Sequence, residues 1–199
     1  MMMMFFFNIV TFSFTNLGLS PEVAFLLMMG CLIGSMINIP LGQQDIEVKE
    51  SENRMWGNVL FYTPPHTAKQ TIYINVGGAL IPTAFSLYLL LTRAPIWPAL
   101  IATVIMAVVS RLLARPVPGV GIALPVFIPP LLAAILALLI SPHNPASVAY
   151  ISGVLGTLIG ADLLNYPRFK DLGSQAISIG GAGVFDGIFL VGIVAAFLT

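Results

Sequence analysis

Charge is what this sequence has least of: Asp, Glu, Lys and Arg make up 8% of its 199 residues, against about 25% in an ordinary soluble domain. That leaves too few polar side chains to coat a core in water, so the apolar residues are expected to face lipid. An excess of one sign is also missing. Eight basic and eight acidic residues give a formal net charge of zero, which removes any electrostatic case for nucleic acid or an acidic partner. The one cysteine, Cys31, cannot form an internal disulfide and reads as a free thiol in an apolar helix. With only His66 and His143 besides, no His/Cys set stands ready for a metal, and both histidines read as solvated loop residues. Nucleotide-binding loops, haem motifs and serine–histidine arrangements are absent too, so no cofactor is expected.

What the chain has instead is long hydrophobic runs. Residues 1–15, 22–40, 74–92, 96–114, 121–140, 147–165 and 177–198 are apolar over spanning or near-spanning lengths. The sequence therefore predicts an all-α polytopic membrane bundle of six to seven transmembrane helices, with 1–199 as a single transmembrane domain. Residues 1–15 are short for a span. They lack a basic n-region and a small-residue cleavage site, so they read as a first membrane segment rather than a cleaved signal. Ser20-Pro21-Glu22 is a helix start, and Ser147 is a candidate cap for the sixth helix.

The basic residues set the orientation. With a cytoplasmic N-terminus, Lys49, Arg54, Lys69, Arg111, Arg115, Arg168 and Lys170 fall in cytoplasmic loops and Arg93 alone falls outside. The chain is thus expected in the cell membrane with its C-terminus outside. The 41–73 loop is the one substantial piece outside the apolar runs. Its β-prone stretches at 59–63 and 71–74, around Pro64-Pro65-His66, predict a small cytoplasmic β-hairpin that leans on the membrane or the bundle.

Two acids do not belong to loops or helix ends. Asp162 and Asp186 sit in otherwise apolar runs, where a charged Asp costs about 2.5–3.5 kcal/mol at mid-span and less near an end. Pro167 disfavours helix at Tyr166, which predicts that the sixth helix ends near Asn165 with Asp162 in its last turn. Asp186 lies one to two turns into the next run, at similar depth across a short loop. Helix dipoles oppose charge on the first and favour it on the second. Gly153, Gly156 and Gly160 form a stripe for close packing, with Asp162 on roughly the opposite face, and Gly180, Gly183 and Gly187 form another beside Asp186. Asn38, Asn75 and Asn165 are candidate partners of the carboxylates, or else satisfy helix ends. The glycine-rich helices leave association with a second copy open.

The stretches Gly34-Ser-Met-Ile-Asn-Ile-Pro40, Asn75-Val-Gly-Gly-Ala-Leu-Ile-Pro82, Gly156-Thr-Leu-Ile-Gly-Ala-Asp-Leu-Leu-Asn165 and Gly180-Gly-Ala-Gly-Val-Phe-Asp-Gly187 resemble a prokaryotic multi-pass membrane family catalogued as a domain of unknown function. That likeness covers nearly the whole chain and implies no activity. A much fainter one is to presenilin-type intramembrane aspartyl proteases, which place two Asp on consecutive helices flanking a cytoplasmic loop. The chain departs from it in carrying Gly-Ala-Gly-Val-Phe-Asp rather than Gly-x-Gly-Asp and in lacking a Tyr before Asp162. Three readings follow for Asp162 and Asp186: a proton- or cation-binding pair of a transporter or channel, an aspartyl dyad acting on a membrane substrate, or structural anchors without catalysis.

Overall fold

The computed structural model describes residues 12–48, 66–117, 121–125, 127–181 and 187–199. Residues 12–16 are helical. After a turn, Ser20 caps α1 (Pro21–Gly34) through a bond from Val23 N–H to its Oγ, with Pro21 in the first turn as the sequence predicts. The strands β1 (Asn38–Val48) and β2 (His66–Asn75) follow. A π-helical turn (Val76–Leu80) then leads directly into α2 (Ile81–Thr92). Next come α3 (Ile96–Leu113), the short pair β3 (Arg115–Val117) and β4 (Gly121–Ala123), α4 (Ile128–Ile140) and α5 (Pro145–Thr157). A second π-turn (Leu158–Asp162) and a 3₁₀ stretch (Leu163–Leu172) end α5, and β5 (Ala176–Ile179) and α6 (Gly187–Phe197) complete the chain.

Among the described residues two helical runs are long and apolar enough to cross a bilayer: Ile96–Leu113 and the continuous Pro145–Lys170, of 18 and 26 residues. Eighteen residues span about 27 Å, close to the thickness of a hydrocarbon core. The two runs differ in surroundings. Of the most apolar window, 72% is buried in the second run and 28% in the first. α5 is thus the inner helix, packed by α2, α3, α4 and α6. Small residues at Ala146, Ala149, Ser152 and Gly153 let these neighbours approach it. Phe14 is wholly buried between Phe85 and Tyr150, so the helical residues 12–16 belong to the same packing. The outward faces are apolar too: Leu26, Leu91, Trp97, Leu112 and Leu139 are each at least 66% exposed, which is not how a surface in contact with water is built.

The sheet corrects the all-α expectation. Its strand order is β1-β2-β5, antiparallel between β1 and β2 and parallel between β2 and β5. The β1–β2 ladder runs from Asn38↔Asn75 to Val48↔His66, with an irregularity at Leu41 between Pro40 and Gly42. The second apolar run therefore stops being helix at Gly34, and the pairing involves 38–48 and 66–75 in place of the small hairpin expected within 59–74. His66 opens a strand and is not a turn tip, and residues 59–65 lie outside the described part. The sheet does lean on the bundle. Ile72, Ile177 and Ile179 pack with Phe169 and Leu172 of the 3₁₀ stretch. Gln70, fully buried, donates to the carbonyls of Phe169 (3.0 Å) and Ser174 (2.6 Å) and accepts from Gln44 (2.5 Å).

Three further boundaries shift. The fifth run, expected from residue 121, is helical from Ile128, because 121–123 pair with 115–117. The seventh, expected from 177, spends Ala176–Ile179 in the sheet and two positive-φ glycines, Gly180 and Gly181, in a turn. Asn144, not Ser147, precedes the first turn of α5; its side chain donates to the Arg93 carbonyl, and Ser147 is buried inside the helix.

Candidate functional site

Asp162 enters at the foot of the inner helix. Thr157 is the last α-helical residue there, and Leu158–Asp162 is wound as a π-turn. Continued as α-helix, Asp162 would lie about 140° round from Thr157. A π-turn holds about one residue more than an α-turn, which rotates the chain back by roughly a quarter-turn. Asp162 is thereby swung toward the face that carries Tyr150 and Thr157. It is half-buried, and its Oδ2 accepts a 2.8 Å hydrogen bond from the Gly180 N–H. The 3₁₀ stretch that follows runs on through Pro167 to Leu172, so Asp162 sits at an internal break and not in a frayed last turn near Asn165. The helix had already left α geometry before the proline could end it.

Asn165 holds this break together. Wholly buried, it donates through Nδ2 to the carbonyls of Gly160 (3.2 Å) and Ala161 (2.9 Å), groups that the change of helix type would leave unpaired. Its Oδ1 accepts from Arg111 at 2.6 Å, and the same guanidinium also bonds the Leu164 carbonyl. Arg111 thus ties the end of α3 to the turn that carries Asp162.

The other π-turn is built the same way, around Asn75. Its Oδ1 accepts from Gly78 N–H at 2.7 Å, and its Nδ2 donates to the Ser35 carbonyl (2.7 Å) and to Asn38 Oδ1 (3.1 Å). Asn38 Oδ1 accepts in addition from Ser178 Oγ at 2.7 Å. One amide therefore fastens the end of α1, the first turn before α2 and the Asn38–Asn75 end of the β1–β2 ladder. Gly77 lies so close to α1 that a Cβ there would overlap the Cys31 carbonyl. Gly180, at φ +84°, lies against Gly78 and Ala79, and a side chain would meet both. Only glycine accepts that backbone angle readily, and the angle presents the N–H to Asp162.

Asn38, Asn75 and Asn165 are each hydrogen-bonded at the end of the molecule that carries the sheet. Asn75 serves backbone groups and Asn38, Asn38 accepts from Asn75 and Ser178, and Asn165 bears on Asp162 through the carbonyls of its turn. Asp186 and Gly183 lie outside the described residues, and Gly187 opens α6. The glycine stripe of α5 divides between neighbours: Gly156 and Gly160 meet Met106, Ala107 and Ser110 of α3, and Gly153 meets Val191 and Ala133. Gly180 belongs to a turn, so it does not share a helical stripe with Gly183 and Gly187 as expected. Among the described residues no three His, Cys, Asp or Glu side chains gather to hold a metal. Cys31 is free and buried, and His143 is exposed in its loop.

Sequence reasoning passed over Gln70 and Ser178, read Arg111 only as a mark of orientation and placed Gly180 in a packing stripe, not against Asp162. Gly180 had a signal, the Gly-Gly pair after an alternating Ile-Ser-Ile. Arg111 and Gln70 had none, since a basic residue at a helix end and a glutamine before a β-prone run both read as solvated.

No curated protein and no solved structure matches the chain, and the fainter likeness to intramembrane aspartyl proteases gains no support. One family does match, over residues 32–198, from the last turn of α1 through α6. Both π-turns, the three asparagines and Asp162 fall within those residues, and the chain belongs to that family, described as Protein of unknown function (DUF1614).

Proposed function

We propose that the chain is a multi-pass protein of the cell membrane, of six to seven spans, that binds a proton or small cation at Asp162 on a transport path, with Asp186 as the second carboxylate. The observation that carries this reading is the setting of Asp162. An acid on the innermost helix is turned inward by a π-turn and met, among the described residues, by a backbone N–H rather than a basic side chain. A carboxylate so placed gains from an exchangeable cation or proton what no fixed countercharge supplies. Single π-turns recur at functional sites, and broken helices meeting at one level are how transporters expose backbone groups to ions.

The apolar outward faces support the membrane setting. The described basic residues support the orientation. Lys69 belongs to the sheet, Arg168 and Lys170 to its supporting 3₁₀ stretch, Arg111 to the helix end joined to that stretch and Arg115 to β3 just beyond it. Arg93 is at the far end of α2, beside Gly18 and Asn144. This distribution favours a cytoplasmic sheet, a cytoplasmic N-terminus and an external C-terminus.

The test is flux in proteoliposomes of purified protein, under an imposed proton or alkali-cation gradient. Wild type is expected to dissipate one such gradient, and Asp162→Asn, which keeps an oxygen for the Gly180 N–H, is expected to lose the activity with the fold intact. Absence of flux for every ion offered, or equal flux by the variant, would overturn the reading.

A further inference from the structure

Buried amides at the sheet end of this molecule are fully bonded, but several hydroxyls in the helical body are not. Among the described residues Thr83, Ser86, Ser110, Tyr150 and Thr157, and Ser174 at the sheet end, each have a buried oxygen with no hydrogen-bond partner. Tyr150 and Ser86 are wholly shut from the surface and Thr157 is 3% exposed. A stranded hydroxyl costs at least as much as a lost hydrogen bond, and Val or Phe would fill the same volume at no such cost. Where stranded oxygens gather, bound water is the usual resolution.

Their placement is ordered. Tyr150 and Thr157, seven residues apart, fall on one face of α5, and the π-turn swings Asp162 toward that same face. Thr83 and Ser86, three apart, share a face of α2. The two helices meet through Phe85 and Tyr150, whose rings are 5.1 Å apart. α2 starts at the π-turn beside Gly180, and α5 ends at the π-turn that carries Asp162. Both helices therefore lead away from the carboxylate into the body.

We propose that these faces of α2 and α5 line a hydrated thread along which protons pass between the level of Tyr150 and Asp162. The inference rests on the transport reading above and deepens it. Each hydroxyl and each water can accept one hydrogen bond and donate another. A proton then moves by hops, an O–H bond forming on one oxygen as one breaks on the next, and every link ends with the proton count it began with. No oxidant, reductant or co-reactant is involved.

X-ray hydroxyl-radical footprinting of the purified protein tests the water directly, because radicals made from bound water oxidise the side chains beside it. Tyr150 and Cys31, whose thiol is an electrostatic neighbour of the Tyr150 hydroxyl, are expected to label severalfold faster than Met106. Met106 is an oxidisable side chain, equally buried and packed on Gly156, that serves as the dry control. Labelling of Tyr150 and Cys31 no faster than Met106 would overturn the thread. In proteoliposomes, Tyr150→Phe and Thr157→Val are each expected to slow proton flux about tenfold, the loss of one hydrogen-bonded link; unchanged flux in both would likewise overturn it. The two readings fail separately. Fast labelling with flux indifferent to Asp162→Asn sinks transport and leaves the hydrated interior, whereas Asp162-dependent flux past a dry Tyr150 does the reverse.

Discussion

The amides of the sheet end and one set of hydroxyls in the helical body are treated in opposite ways, whereas the buried hydroxyls of Thr103 and Ser152 bond carbonyls of their own helices. Asn75, Asn165 and Gln70 each make three hydrogen bonds, most of them to backbone groups at places where the chain changes from one regular form to another. Thr83, Ser86, Tyr150 and Thr157 have oxygens without a partner among the described residues. A planar amide with two donors and two acceptor sites can close several gaps at once, and at a π-turn or a strand-to-helix junction such gaps are unavoidable. Ser86 and Tyr150 lie inside helices, and at the junction that Thr157 precedes the freed carbonyls are taken by Asn165. The contrast separates polar groups that hold the architecture from polar groups available for chemistry.

That contrast can be broken or sharpened by substitution. The largest effect is expected from Asn75→Ala, which strands the Gly78 N–H and the Ser35 carbonyl together; a loss of about 3 kcal/mol would be read from unfolding in mixed micelles. If the variant were as stable as wild type, the amides would not be clamps. Gly77→Ala comes next. Its methyl group would press on α1 backbone at Cys31 and is expected to cost about 1–3 kcal/mol, measured in the same way. Tyr150→Phe has the smallest effect and the most telling sign. With water on its oxygen, the lost hydrogen bond costs about 1 kcal/mol; with a dry, stranded oxygen, removal is neutral or stabilising. An increase in stability would place Tyr150 among defects of packing and close the comparison.

Much of the helical body was legible in the sequence, because long runs of apolar residues with a start such as Ser20-Pro21-Glu22 have few other solutions. Asp162 stood out for the same reason: one acid among leucines and glycines. The sheet end was not legible. β1 contains Pro40, Gly42, Asp45 and Glu47, a composition that reads as loop, and it succeeds as a strand because it lies at the edge, where proline and irregular pairing are tolerated. β5 has four residues and looks like the start of an apolar span, since nothing local distinguishes Ala-Ile-Ser-Ile in a sheet from the same residues in a helix. The π-turns left no trace, because Leu-Ile-Gly-Ala-Asp has the composition of any small-residue helix. Their consequence, the direction in which Asp162 points, therefore had to come from coordinates.

The parallel pairing of β5 with β2 also bears on how the molecule comes into being. Gln70 and its partner Ser174 are separated by 104 residues, so at roughly 5–20 residues per second the central strand waits several seconds on the ribosome for its second neighbour. During that interval one edge of β2 carries open backbone groups that another nascent chain could capture. Closing of the sheet is consequently a late event in biogenesis.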